Sequence, residues 1–399
     1  MRRKTHPWGA PPWSVDFRPA PRTLPEQVDF AIVGGGFCGL SAAAWLRRLA
    51  PERSVLVLES AALGEGASGR TGGLVLADTA AGPLPGLGNV LAGYKKTLRA
   101  LRIDSRLALS GVWEVGRSSP AKDSPISWSD SGTLKVVRCV PGGTVDPGKV
   151  VAGLARAAQS AGAVIVEHAH VQAINFSNPL RLRVRHNIRG RIQQKEIRAH
   201  QILLATNAFA LELSGLHDAT ARLTLALATA PLSAAQLKAI GLESRRPFYT
   251  IDLPYLWGRL LDSNGVIFGA GLVPMPASSD ALFRDPAGAR SHKNASTHLY
   301  RFDVRKGEAA ARFRWLEARV RSLHPTLKSV RITHRWGGPI LLTEGMRPVF
   351  RWFTPEGRPR NQNVMVLAGY NGHGVALSVY LGKWAAQALL GKRPLPRWR

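Results

Sequence analysis

Three glycine-rich stretches hold the residue types that could grip a nucleotide cofactor. The first, Gly34-Gly35-Gly36-Phe37-Cys38-Gly39, fits G-x-G-x-x-G, and Glu59 stands twenty residues beyond its last glycine. In that spacing Gly34 permits a tight turn and Gly36 lets backbone approach a pyrophosphate, which the positive end of a helix then stabilises. Gly39 allows close helix–strand packing, and the Glu59 carboxylate can accept both hydroxyls of an adenosine ribose. A carboxylate there argues against a phosphorylated nicotinamide cofactor, but the motif alone does not separate NAD from FAD. Cys38 reads as a small residue of the turn. The second stretch, Gly64-Glu65-Gly66-Ala67-Ser68-Gly69-Arg70-Thr71-Gly72-Gly73, falls just after the ribose acid. A flavin dinucleotide bound in extended form needs such a further loop close to its pyrophosphate and ring. The third, Gly369-Tyr370-Asn371-Gly372-His373-Gly374, again links a strand to a helix, whose amides could face the ring edge that becomes anionic on reduction.

The elements around these stretches supply the needed context. Residues 28–33 form an apolar strand, residues 39–49 a helix ended by Pro51, and residues 54–58 a second strand, a β-α-β unit. The pattern returns as a helix over 150–161, a strand over 164–167 and a buried strand over 202–206 ending at Asn207. Residues 181–185 alternate polar and apolar, with 192–197 as a hairpin partner. Residues 216–334 differ, with short β-like runs and a helix over 308–323 whose Phe313, Leu316, Val320 and Leu323 share one face. The end reverts to strand 364–368 and helix 375–390. The fold class is therefore α/β, a Rossmann-like nucleotide domain interrupted by an inserted mixed-sheet (α+β) lobe. The boundaries are an extended arm over 1–27 laid on the surface, with Trp8 and Trp13 as anchors; a discontinuous cofactor domain of 28–110, 141–215 and 335–399; and a substrate domain of 111–140 and 216–334.

A length of 399 residues exceeds one small domain, and 45% hydrophobic with 20% charged residues excludes a largely disordered chain. No apolar run is long enough to cross a bilayer, and Met1-Arg2-Arg3-Lys4 is followed by prolines rather than a signal-peptide core. Two cysteines, neither in a metal-ligand spacing, suit a reducing compartment, so a cytoplasmic location, no membrane and no metal site are expected. The net charge of +28 attracts anions generally. With arginines spread through nearly every segment and no aromatic pattern between them, it reads as a solvated basic surface rather than a nucleic-acid groove.

The stretches DFAIVGGGFCGLSAA, LGEGASGRTGG, GGTVDPGKVVAGLARAA, ILLATNAF, HRWGGPI and LAGYNGHGVALSVYLGKWAA follow one another from residue 29 to 386. In this order they resemble the FAD-dependent oxidoreductases of the D-amino-acid oxidase superfamily, in the branch of glycine oxidase, sarcosine oxidase and γ-glutamylputrescine oxidoreductase. The resemblance implies a cofactor domain of glutathione-reductase type. It implies that Gly34, Gly36, Gly39 and Glu59 bind the ADP half of FAD. Ser68, Arg70, Thr71 and Gly73 would lie along the flavin, the strand near Val171 on the adenine side, and Gly372, His373 and Gly374 at the pyrimidine edge. It also draws Phe37, Cys38, Ser60, Gly66, Ala67, Gly72, Thr206, Asn207, Gly338, Gly369 and Val375 around the cofactor. Some members attach FAD through a cysteine in the C-terminal half or a histidine in the early loop. Here no cysteine follows Cys139 and Thr71 occupies the loop, so the FAD is expected to be non-covalent.

The reaction implied is oxidation of an amine or amino-acid C–N bond by hydride transfer from the α-carbon to flavin N5. Imine hydrolysis follows, with O2 as acceptor and H2O2 formed. The family's aromatic-aromatic-Arg segment stands here as Trp257-Gly258-Arg259, with Gly258 in place of one aromatic. Arg259 could hold a substrate carboxylate through its planar fork, as could Arg347, although a surface position is the commoner fate of an arginine in so basic a chain. Tyr249, Tyr255 and Trp257 could wall the pocket, His373 could border the flavin, and His334 reads as structural. Two other readings fit the same residues: a biosynthetic or RNA-modifying flavoenzyme for a large anionic substrate, and a flavin-bearing subunit without turnover. The amine, the acceptor and the oligomeric state are not written in the sequence.

Overall fold

The computed structural model describes residues 6–118, 123–209, 211–214, 216, 219–273, 302–353, 355 and 363–398. The Met1-Arg2-Arg3-Lys4 start lies outside them. Two eight-stranded sheets organise the chain. The first is ordered Val349–Trp352, Val364–Ala368, Arg191–Leu204, Gln27–Val33, Val55–Leu58, Val164–Val166. All its neighbours on this path are parallel except the antiparallel edge strand Val349–Trp352. Ala169–Asn175 and Leu180–Ile188 extend it as an antiparallel ribbon, and Leu182 to Ile197 is one rung of the expected hairpin.

Buried parallel strands need cover on both faces, and their alternation supplies it. Phe30 and Ile32 face a cluster built with helices Phe37–Leu49, Val90–Ala100, Pro147–Ser160 and Gly374–Leu389. Ala31 and Val33 face the other core, which continues under the antiparallel ribbon.

The second sheet is ordered Ile332–Thr343, Ala219–Thr229, Val266–Val273, Leu256–Leu260, Phe248–Thr250, Val112–Gly116, Thr133–Val140, Trp128–Ser129. Helix Gly307–Leu323 covers one face through Phe313, Leu316, Val320 and Leu323, as its periodicity requires. Ile332–Thr343 pairs along its length with Ala219–Thr229. The sequence boundary at 335 therefore falls inside a second-sheet strand.

The N-terminal arm departs from expectation. Ala10, Ser14, Asp16 and Arg18 stay exposed, but Trp8, only 1% exposed, enters the seam between the sheets. Trp8 O accepts from Gly337 N at 2.7 Å, Gly9 bridges Trp336, and Pro7 O accepts from Val304 N at 2.8 Å. The large Trp8 indole is buried while the charged Asp16 and Arg18 side chains stay in solvent.

Candidate cofactor and substrate site

Helix Phe37–Leu49 begins two residues earlier than its periodicity suggests, because Gly36 is an extended N-cap with no side chain. Its first turn lacks a side-chain cap; Phe37 N alone is met by Ser68 Oγ, at 2.9 Å. Gly34 sits at φ +110°, and a Cβ there would press on Ala205 O at 2.7 Å. A Cβ on Gly39 would collide with Gly34 O, so the close packing assigned to this glycine is present. Glu59 caps the turn from the neighbouring strand end. Its Oε2 accepts from Gly35 N at 2.8 Å, and its Oε1 from Ala61 N at 3.0 Å and from Ser60 Oγ. Burial raises the Glu59 pKa despite these donors.

Several features fit the space a dinucleotide would fill. A Cβ on Gly36 would meet only the Ser68 side chain, its Oγ at 2.8 Å, and one on Gly66 or Gly372 would meet nothing within 4 Å. Thr206 Oγ1, buried at the end of the Arg191–Leu204 strand, has no hydrogen-bond partner among the described residues. At the far end Asn207 Oδ1 accepts from Gly369 N at 3.0 Å, and Asn371, fully engaged with Thr343 and Gly369, pins the turn before helix Gly374–Leu389. His373 is that helix's N-cap, and burial lowers its pKa, keeping it neutral at pH 7. Cys38 is buried beside Tyr370 with its thiol pushed up to about 12, which makes it a packing residue. Val171 is buried in the main core.

Across the seam, register sets one row of side chains. Glu114, Tyr249, Trp257, Gly269, Ala226 and Trp336 are directly opposed strand to strand, so they share a face. The Trp257 ring takes the space that Cβ atoms on Gly72 and Gly269 would occupy, bringing the second sheet against the glycine loop. Tyr249 Oη donates to Glu114 Oε1 at 2.6 Å, and Glu114 also pairs with Arg138, which holds its pKa below the usual carboxylate range. Burial first, then Glu114, raises the Tyr249 pKa.

Arg259 is placed differently from a surface residue. Two residues beyond Trp257 on the same face, it is 7% exposed, its Nε donates to Gly72 O, and burial lowers its pKa to about 10. Arg347 is exposed. Tyr255 is also exposed, at 57%, on a loop whose Pro254 and Tyr255 carbonyls are held by Arg319. It does not join the row. Arg70 is buried, with its guanidinium on the carbonyls of Glu65, Gly9 and Gly337 and over the Trp8 ring. Gly338 faces Arg70 across the seam, 3.5 Å from a Cβ built on it to Arg70 Cβ.

Sequence reasoning missed Glu114, Asn371 and Trp336. The first was legible only as a lone acid in an apolar strand, Val112-Trp113-Glu114-Val115.

A parallel sheet ending in a glycine turn with a ribose-type acid is the frame of a dinucleotide-binding domain. The chain belongs to the DAO family of FAD dependent oxidoreductases, whose model matches residues 29–388. Its cofactor is accordingly FAD. Over 94% of its length it is 25% identical to a "probable oxidoreductase OrdL" of Haemophilus influenzae, covering 86% of that protein. It is 23% identical to γ-glutamylputrescine oxidoreductase of Escherichia coli, over 92% of this chain and 85% of that one. Its mixed α/β fold is that of glycine oxidase from Geobacillus kaustophilus, with a TM-score of 0.64 at 18% identity over 93% of this chain and 96% of that one. No helix among the described residues is long and apolar enough to cross a membrane.

Proposed function

We propose that this oxidoreductase oxidises the C–N bond of a small amine or amino acid, with the first sheet and its helices forming the cofactor domain and the second sheet the substrate domain. The names of the E. coli and G. kaustophilus proteins point the same way. The observation that carries the reading is the row from Glu114 to Trp336, a mostly aromatic and apolar face pressed by Trp257 onto Gly72. Bound FAD would supply an acceptor for the hydride of the carbon beside the nitrogen; water would hydrolyse the resulting imine to a carbonyl and an amine, and O2 would take the two electrons with two protons to give H2O2.

The chain's own part is to orient and to dehydrate. Trp257 offers a flat wall that excludes water, and an apolar seam disfavours an ammonium, so the substrate nitrogen is held neutral. Tyr249, its proton committed to Glu114, presents oxygen lone pairs that can accept from the amine N–H. Neutral His373 at the start of helix Gly374–Leu389 would border the cofactor's ring edge. The FAD is held non-covalently, since no cysteine follows Cys139 and Thr71 stands in the early loop. The test is to mix the holoprotein with pooled amines and amino acids under nitrogen, then admit air. The reading expects the flavin to bleach with at least one pool and its colour to return in air. Bleaching by dithionite alone would overturn it.

A further inference from the structure

The loop from Leu63 to Gly72 is tied down by its carbonyls, and the donors come from elsewhere in the chain. Leu63 O accepts from Arg18 Nη1 at 3.1 Å and Gly69 O from Trp13 Nε1 at 2.8 Å. Arg70 O accepts from Trp336 Nε1 at 2.8 Å, and Gly72 O from Arg259 Nε. Three of these donors pack on one another: the Arg259 guanidinium lies 5.6 Å from the Trp13 ring centre, and Trp13 meets Trp336 edge-to-face at 5.5 Å. Val15 fills the space beside Gly64, and Arg18 pairs with Glu167 at 3.7 Å. The arm thus runs along the loop that also supplies Ser68, the partner of Phe37 N in the dinucleotide turn.

The N–H opposite the Arg70 carbonyl, that of Thr71, closes the short helix on Ala67 O at 3.0 Å, so donors holding the carbonyls of Gly69, Arg70 and Gly72 from the arm side fix the path of the loop's backbone. We infer that the N-terminal arm is a working part of the FAD site. In it Trp13 is a positioning residue that, with Trp336 and Arg259, clamps the carbonyls of Gly69, Arg70 and Gly72. Arg259 then acts on the loop, with its cationic fork sandwiched between Gly72 O and the Trp13 ring, instead of on a substrate carboxylate. This inference concerns FAD retention and holds whichever substrate is oxidised.

Trp13→Phe keeps a ring against Arg259 and Trp336 but deletes the bond to Gly69 O; Trp13→Ala deletes both. Trp398→Phe is the control, because it also removes one indole-to-carbonyl bond, to Pro348 O at 3.1 Å, within a separate aromatic cluster with Phe350 and Trp384. The measurements are FAD affinity of the deflavinated protein, the visible spectrum of the bound flavin, and thermal stability. The expected result is an FAD Kd raised about fivefold by Trp13→Phe and about thirtyfold or more by Trp13→Ala, from one lost neutral hydrogen bond and then the lost ring packing as well. The flavin spectrum shifts in both, while Trp398→Phe lowers stability with affinity and spectrum unchanged. Wild-type affinity and spectrum in Trp13→Phe and Trp13→Ala would overturn the inference. So would an affinity loss in Trp398→Phe equal to theirs, which would make the effect one of general stability.

Discussion

Replacing Glu59 by Gln isolates what a carboxylate contributes at the dinucleotide turn. The native side chain accepts from Gly35 N, Ala61 N and Ser60 Oγ. A carboxamide has one acceptor oxygen and one donor NH2, so in either orientation it sets a donor against a backbone N–H. Leaving that N–H unsatisfied costs about 1–3 kcal/mol. Against this, the native carboxylate is itself disfavoured by burial, as its raised pKa records, and the neutral amide is relieved of that cost. The two effects oppose each other in the unliganded protein, so its stability should change little.

In the FAD complex, with Glu59 at the ribose as proposed, the hydroxyls would lose charge-assisted bonds, each roughly twice as strong as a neutral one. The net loss is about 1.5–3 kcal/mol, a Kd raised about tenfold to a hundredfold. Titration of deflavinated protein with FAD by flavin fluorescence measures the affinity, and a thermal scan without FAD measures the stability. An affinity within twofold of wild type, or a collapse in stability that fully accounts for the lost binding, would refute the reasoning.

The remaining predictions concern titration, the seam and the core. FAD affinity should fall on acidification from a pH above the ordinary glutamate value of about 4.3, because burial raises the Glu59 pKa and binding needs its charged form; a Kd flat down to that value would contradict this. Native protein should react with a thiol reagent at exposed Cys139 only, and at Cys38 as well once unfolded, which counting labelled cysteines by mass checks. Arg319→Met should destabilise the protein by about 3 kcal/mol in urea melts, the low end for breaking a buried pair, since Asp130 keeps Arg117 at 3.0 Å. Tyr249→Phe should cost about 1 kcal/mol of stability and raise KM for the amine more than it lowers kcat, read from steady-state kinetics; an unchanged KM removes Tyr249 from the substrate face.

The glycine turn and its acid were legible because their constraints are local. A buried strand, a turn whose backbone or close packing demands glycine, a helix and an acid at the next strand end lie within Val28 to Glu59. The row proposed to face the substrate was not, because it is assembled across six strands whose pairing no short stretch encodes. Arg259 shows the limit most directly. Among so many arginines nothing in its neighbours announces burial, yet Trp257 and Arg259 are two residues apart in a strand and must share a face. Trp8 and Trp13 were visible as anchors, but that they enter the seam depends on Trp336 and Phe209, more than 190 residues away in sequence. Glu114 and Asn371 act through partners equally remote, so their roles appear only in three dimensions.

The visible absorption spectrum of the freshly purified protein, followed by denaturation and separation of small molecules from the chain, tests the central claim most directly. A flavin spectrum that leaves the polypeptide as free FAD is the predicted result. Colourless protein that stays colourless after incubation with excess FAD would contradict the account.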